Sequence, residues 1–422
     1  MAFAVLLFIL LLILLTGVPI AYAIGGIAVL GNQWFGATSF TRLAETQFSS
    51  INSFVIMAIP FFILAGNVML KGQMARSLFE FMVSLTRGIT GGAAIGATGA
   101  CAIFGALTGS SAAAASALAP VVVPELERHG YPRGFACGLI AAGGTLGIMI
   151  PPSVVFVVYG SLTSTSVATL FLAGVIPGLF LAALLALTSY GMAKRYGYGD
   201  TQPLQLREIW RAFKLAMPSM LMPVVVLGGI YSGKFTPTEA AAVSVVYSVI
   251  VTKYVYKTLK WSDLPDIFID SAKSSAVVLI ILAASLGVGL LASFLGAADQ
   301  LTTFLISFNL SAWQFLLAVN VILLILGCFF DGFTLLVLLT PLLLPSLKAL
   351  DINLIHFAIL LTANIEIAAI TPPVGFNLFV ISGITKVGLT EVARGVLPFA
   401  ITLLVGLFIL TYVPSLSLML IK

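Results

Sequence analysis

The chain has 422 residues, of which 60% are hydrophobic and only 8% charged, with a formal net charge of +5. A soluble domain carries roughly 25% charged residues, so this composition excludes a soluble enzyme or binding module and implies an integral membrane protein. Apolar runs such as 2–15, 167–192 and 397–420 carry no charge and approach or exceed the ~20 residues of a spanning helix, where a barrel would show short alternating strands instead.

Taken in order, hydropathy predicts crossings near 2–16, 19–33, 51–70, 132–164 and 168–193, then near 214–232, 237–256, 274–296, 353–385 and 389–420. The first stretch lacks a basic n-region and an Ala-x-Ala-like site, so it reads as a mature helix and not as a signal peptide. Residues 2–33 form either two crossings split at Gly17-Val18-Pro19 or one long kinked helix, and Thr236-Pro237 in the second half favours the split. Residues 71–88 interleave Lys71, Arg76, Glu80 and Arg87 with Met74, Leu78 and Phe79, the pattern of an amphipathic helix in the interface, either an arm of a mobile domain or a plain surface helix. Cys101, Cys137 and Cys328 show no metal or redox spacing and read as small core residues. His129 and His356 likewise have no ligand partner at a useful spacing. No nucleic-acid motif is present, so the basic excess belongs to loops facing one side of a lipid bilayer.

One spacing organises the chain. Pro151-Pro152 matches Pro372-Pro373 at an offset of 221, and the same offset relates Pro120 to Pro341, Pro124 to Pro345, Gly174 to Gly395 and Pro177 to Pro398. The chain therefore reads as an all-α polytopic membrane protein made of two repeats, 1–194 and 214–422, joined by a cytoplasmic linker, 195–213. Each repeat has about five crossings, a helical hairpin (91–127 and 311–347) that enters and leaves by one face, and a Pro-Pro-broken helix (132–164 and 353–385). An odd number of crossings inverts the second copy. With the linker inside, most basic residues, from Lys71 and Arg76 to Lys273 and Lys386, fall on the cytoplasmic side, while Arg42, Lys234, Lys348 and Lys422 fall outside.

Inverted repeats with broken helices are how secondary transporters build a site near the membrane midplane. Non-helical backbone at that depth is tolerated only where protein or a water-filled cavity surrounds it, so the hairpin tips should line a site. Proline lacks an N–H and clashes with the preceding turn, so each Pro-Pro pair should free carbonyls just before it, at Gly147 and Ile150 in the first half and at Ala368 and Thr371 in the second. The tips add Thr108, Ser110 and Ser111, and Asp331, Gly332 and Thr334. At the 221 offset Ser110 pairs with Asp331 and Thr145 with Glu366, so each copy places oxygen ligands at its tip and before its break. Hydroxyls, carboxylates and carbonyls suit a hard cation such as Na⁺. Asp331 and Glu366 are alternatively proton carriers or structural partners of a backbone N–H. Gly144, Pro152, Ser153, Asn364, Pro373 and Asn377 are the candidate substrate contacts, with interhelical hydrogen bonds as the alternative for the amides and hydroxyls.

The segments Phe104-Gly105-Ala106-Leu107-Thr108-Gly109-Ser110-Ser111, His129-Gly130-Tyr131, Gly144-Thr145-Leu146-Gly147-Ile148-Met149-Ile150-Pro151-Pro152-Ser153 and Ile370-Thr371-Pro372-Pro373-Val374-Gly375-Phe376-Asn377 resemble the large membrane subunit of tripartite ATP-independent periplasmic (TRAP) transporters. Asp331, Pro341, Pro345 and Asp351-Ile352-Asn353 fit the same pattern, and the resemblance covers essentially the whole chain. It implies a multi-pass protein of the bacterial inner membrane with an elevator-type fold, in which a mobile domain holding both hairpins carries substrate past a scaffold, driven by a Na⁺ gradient. It further implies a small TRAP membrane subunit and a periplasmic substrate-binding protein as partners, and a small organic acid such as a C4-dicarboxylate or a sialic acid as substrate. Competing classes are a stand-alone sodium- or proton-coupled anion transporter and a non-transporting scaffold or channel. Intramembrane catalysis is disfavoured because no Ser/His, HExxH or paired-aspartate motif occurs.

Overall fold

Where lipid offers no hydrogen-bonding partner, a chain this apolar must satisfy its backbone internally, and among the described residues it does so with helices alone. The computed structural model describes residues 2–421 except 73, 298–299, 301–302, 304–309, 329, 331 and 373–374. The first half contains α1 (Ala2–Leu15), α2 (Ile20–Phe35), α3 (Phe40–Ile51), α4 (Ala58–Lys71), α5 (Met74–Thr86), α6 (Gly92–Thr108), α7 (Ser111–Arg128), α8 (Arg133–Met149), α9 (Val154–Thr163) and α10 (Val167–Tyr196). The second contains α11 (Leu206–Tyr231), α12 (Pro237–Ile250), α13 (Leu264–Phe294), α14 (Ala312–Gly327), α15 (Gly332–Ala349), α16 (Leu354–Ala368), α17 (Phe376–Thr385) and α18 (Leu389–Tyr412).

Local chemistry sets the boundaries. The α1–α2 break falls at Gly17, whose φ of +83° suits glycine, followed by Pro19 at the head of α2. At Thr236-Pro237 a capping box forms: the Thr236 side chain accepts from the Glu239 N–H while the Glu239 carboxylate accepts from the Thr236 N–H. Both split positions expected from sequence are therefore real helix ends. Among the described residues, six helices are long and apolar enough to span a membrane, or up to eight spans if each bent pair counts once, against the ten crossings expected. The difference lies in short helices. With 14 and 16 residues, α1 and α2 reach roughly 21 and 24 Å at 1.5 Å per residue, short of the ~30 Å hydrocarbon core.

Helix boundaries recur at the spacing of the prolines. Helix α7 (Ser111–Arg128) and α15 (Gly332–Ala349) correspond residue for residue at the 221 offset, and each carries two internal prolines, Pro120 and Pro124 in one, Pro341 and Pro345 in the other. Packing, however, does not follow the two sequence halves. Helices α2, α3 and α4 pack against α13, α4 also against α12, and α11 against α5 and α12. Asn67 Nδ2 donates to Ser271 Oγ at 2.8 Å and ties α4 to α13. The second group is built round α8, which touches α6, α7, α10, α16, α17 and α18. A methyl built on Gly138 of α8 would lie 2.1 Å from the backbone of Gly395 of α18, so these two helices meet at a contact that admits no side chain. Each group draws elements from both halves; the hairpins and broken helices gather in the second, and the two groups meet where α5 packs along α6 and α13 along α15. Helix α5 is amphipathic as expected, burying Met74, Leu78, Phe79 and Phe81 while Arg76 and Glu80 pair at the surface.

Candidate ion and substrate site

The first hairpin turns at Gly109, in the left-handed region at φ +62°, and Ser110 caps α7 by accepting from the Ala113 N–H at 3.4 Å. This tip sits on the first break. A methyl on Gly109 would lie 2.9 Å from the Pro152 carbonyl and 3.5 Å from the Val154 nitrogen. One on Gly105 would lie 2.5 Å from Gly147 Cα. The carbonyl ends of α6 and α8 therefore lie side by side, as do the amino ends of α7 and α9. The first pair presents partial negative charge suited to a cation, and the second presents partial positive charge suited to an anion.

The break itself resolves which carbonyls are free. Pro151 and Pro152 cannot donate to Gly147 and Ile148, and Ser153 Oγ takes over the Ile148 carbonyl at 2.6 Å. Gly147 loses its helical donor with no such replacement from Ser153. Thr145, fully buried, donates its hydroxyl proton to the Ala142 carbonyl at 2.7 Å, and Thr108 shares its proton among the Phe104, Gly105 and Ser110 carbonyls at 3.3 Å. A hydroxyl that has given up its proton still presents oxygen lone pairs, which is what a cation binds. Gly144 packs on α7, where a methyl would come within 3.1 Å of the Ser111 carbonyl, and the Ile150 N–H still reaches Leu146 O at 2.9 Å.

The second tip meets the second break in the same manner. A methyl on Gly327 would lie 2.3 Å from Ala368 Cβ, and one on Gly332 would lie 2.0 Å from Ile365 Cγ2. Ala368 is the 221-offset equivalent of Gly147, so corresponding positions of the two broken helices touch corresponding hairpins. Thr334 is fully buried at the start of α15. Thr371 Oγ1 donates to the Ile367 carbonyl at 2.6 Å, and the Ala368 carbonyl accepts from the Thr371 N–H at 3.2 Å. Glu366 stands apart: it is fully buried, and neither carboxylate oxygen has a hydrogen-bond partner among the described residues. Isolating a carboxylate from water without a partner is costly, so orphaned oxygens here are the feature that a bound cation or a proton would satisfy. Asp331 and Pro373 lie outside the described residues.

One side chain joins the two assemblies. Asn377, buried at the start of α17, donates from Nδ2 to the Ala141 carbonyl of α8 at 3.1 Å and accepts at Oδ1 from Ser111 Oγ at 3.4 Å. The candidate residues thus gather as two clusters, tip one with Gly144 to Ser153, and tip two with Glu366 to Thr371, bridged by Asn377. Asn364 is engaged elsewhere: its Nδ2 donates to Asn320 Oδ1 and to the Leu360 carbonyl, both at 2.8 Å, and Asn320 donates on to Thr411 Oγ1 at 2.9 Å. This amide chain links α14, α16 and α18, although Asn364 Oδ1 itself remains buried without a partner among the described residues. Sequence reading passed over Asn320 and Thr411. A lone amide between Val319 and Val321 inside an apolar helix is a signal that was available. It also passed over Gly66 of α4, where a methyl would lie 3.5 Å from Thr108, the point at which the flanking group touches the first tip.

With this geometry in view, comparison with known proteins is decisive. The family model described as "Tripartite ATP-independent periplasmic transporter, DctM component" matches residues 7–416. The chain belongs to the DctM family. It is 39% identical over 420 residues to the C4-dicarboxylate TRAP transporter large permease protein DctM of Rhodobacter capsulatus, covering 96% of each chain. It is 33% identical to the sialic acid TRAP transporter large permease protein SiaM of Vibrio cholerae, covering 97% of this chain and 96% of that one. It is 35% identical to the isethionate TRAP transporter permease protein DctMQ of Oleidesulfovibrio alaskensis, with 96% of this chain matching 64% of that longer one. Among solved structures, the YdaH transporter of Alcanivorax borkumensis, described as having an unusual topology, superposes with a TM-score of 0.62 at 17% identity, covering 89% of this chain and 88% of that one. At that identity the likeness concerns the fold alone. This DctM-family chain is accordingly a transporter permease and not an enzyme, a multi-pass protein of the bacterial inner membrane.

Proposed function

We propose that the chain is the translocating subunit of a Na⁺-coupled importer of a small organic acid, working with a small TRAP membrane subunit and a periplasmic substrate-binding protein. The observation that carries the proposal is the convergence of like helix ends at each break: carbonyl ends of α6 and α8 with Thr108, Thr145 and Gly147 on one side, and of α14 and α16 with Glu366 and Ala368 on the other. These are oxygen-rich surroundings of the kind a hard monovalent cation prefers. Substrate would lie between them, its carboxylate facing the amino ends of α7 and α9, within reach of Ser153 and Asn377. C4-dicarboxylates, sialic acid and isethionate are among the substrates named for the relatives; the first two carry carboxylates and the third a sulfonate, each an anionic group that such helix ends favour.

Movement follows from the packing. The hairpins and broken helices group with α10 and α18, and α2, α3, α4, α11, α12 and α13 flank them, which supports an elevator in which the hairpin group slides against the flanking one. Proteoliposomes holding the complete transporter, supplied with the binding protein and labelled acid, test the reading. Uptake should require both an inward Na⁺ gradient and the binding protein. Equal uptake with neither overturns it, and uptake that needs Na⁺ but not the binding protein indicates a stand-alone coupled transporter.

A further inference from the structure

The motif His129-Gly130-Tyr131, at the turn from α7 into α8, has no place in the site above, and the residues that hold it come from the linker after α10. Tyr198 packs on Tyr131 and Phe135, with ring centroids 6.2 and 5.8 Å away. Gly199 adopts φ +79°, and a methyl there would lie 2.5 Å from Tyr131 Oη. Asp200 then hydrogen-bonds His129 Nδ1 through one oxygen and accepts from Gln202 Nε2 at 2.7 Å through the other. These two bonds hold the Asp200 carboxyl below the usual carboxylate range. Beyond it the linker crosses to α5: the Gln202 N–H donates to the Arg87 carbonyl at 3.0 Å, and the Arg87 guanidinium binds both Gln202 and Glu208 of α11.

We propose that residues 196–208 are a latch, holding the hairpin group through Tyr131 and His129 and, through Arg87 at the turn between α5 and α6, binding Glu208 of α11 in the flanking group, which keeps the two groups in the present state and opens once per transport cycle. The proposal rests on the sliding-group reading above. Helix α10 belongs to the hairpin group and α11 to the flanking one, so this segment must follow any relative movement. Nine residues, 197–205, reach about 30 Å when extended, which is ample slack once the side-chain ties let go. An open cleft already separates part of this surface. Its volume is ≈ 560 Å³, it lies between α5, α7 and α11, and it mixes charged side chains such as Arg76, Glu80, Glu125 and Arg211 with the apolar Phe79 and Leu215, so parting there widens an existing gap.

Pulsed electron–electron resonance between nitroxides at Arg128→Cys and Lys214→Cys tests this, in the complete transporter in vesicles with Cys101, Cys137 and Cys328 replaced by alanine. The parent should show two distances whose proportions change with Na⁺ and substrate. Asp200→Ala with Gln202→Ala should then raise the population of the second distance about tenfold without added ligand, the equivalent of 1.4 kcal/mol. Asp200→Asn, which preserves shape and assembly, should shift it less and in the same direction. Two distances in the parent but unchanged proportions in both variants overturn the latch alone. A single distance in the parent under every condition overturns the sliding groups, and the latch with them.

Discussion

The two helix breaks occupy matching positions but solve the same backbone problem with different chemistry. At the first, everything buried is neutral and mostly satisfied: Thr145 bonds Ala142, Ser153 bonds Ile148, and two glycines, Gly105 and Gly147, let the hairpin rest on bare backbone. At the second, the position of Thr145 is held by Glu366, whose two oxygens have no partner among the described residues, and Gly147 is replaced by Ala368. The comparison teaches that matching backbone geometry leaves the charge at each break free to differ. A site neutral when empty tolerates vacancy; one with a bare buried carboxylate is stable only when something compensates it.

The largest expected effect is at that carboxylate. Glu366→Gln keeps the shape and removes the charge, so uptake should fall roughly 100-fold, corresponding to about 3 kcal/mol for losing one partner of a buried charge pair. The thermal midpoint without ligand should hold or rise. Thr145→Val at the equivalent position should cost far less. Unchanged Na⁺ dependence of uptake in Glu366→Gln would remove the second break from ion coupling. Next in size are the contacts. Gly105→Ala forces a methyl against backbone at Gly147 and should destabilise by about 1–3 kcal/mol. Gly327→Ala clashes with the Ala368 methyl, so adding Ala368→Gly should restore most of that loss, as melting of the detergent-solubilised protein can show. If Gly105→Ala melts like the parent, the first tip does not rest on the first break.

Smaller effects sharpen the same contrast. Ser153→Ala leaves the Ile148 carbonyl without its donor and should lower stability by about 1 kcal/mol, measured by the same melting assay. Ser111→Ala removes only a 3.4 Å contact to Asn377 and should change uptake less than about 2-fold, within the ~0.6 kcal/mol typical of such membrane hydrogen bonds.

Much of this was legible in the sequence because its signals were covalent or steric. The doubled prolines, the glycine-serine tip at 109–110 and the cap at Thr236-Pro237 each dictate a local backbone state, and helix ends fall beside them. The approach of the first tip to the first break, Gly105 on Gly147 and Gly109 on Pro152, agrees with the expectation that tips and breaks lie together. What escaped was chemistry that depends on which helix lies opposite. Asn364 reads as a substrate contact in isolation, and only the packing of α14 and α18 shows Asn320 and Thr411 beside it. The grouping of helices across the two halves was likewise invisible to hydropathy, which reports how apolar a segment is and not what it packs against. His129 has no partner at a useful spacing in the sequence, and only the fold brings Asp200, distant along the chain, to its ring.

Asn377 carries a last consequence. Its amide belongs to the second copy, yet it grips the backbone of α8 and accepts from the tip of the first hairpin. Whatever pulls on that amide from one side is felt on the other, and thermodynamic reciprocity makes the influence equal in both directions. Under the proposed function, ion and substrate would then fill the two clusters as a pair, so that a half-loaded carrier becomes the scarce species and leakage of one passenger without the other is suppressed at its source.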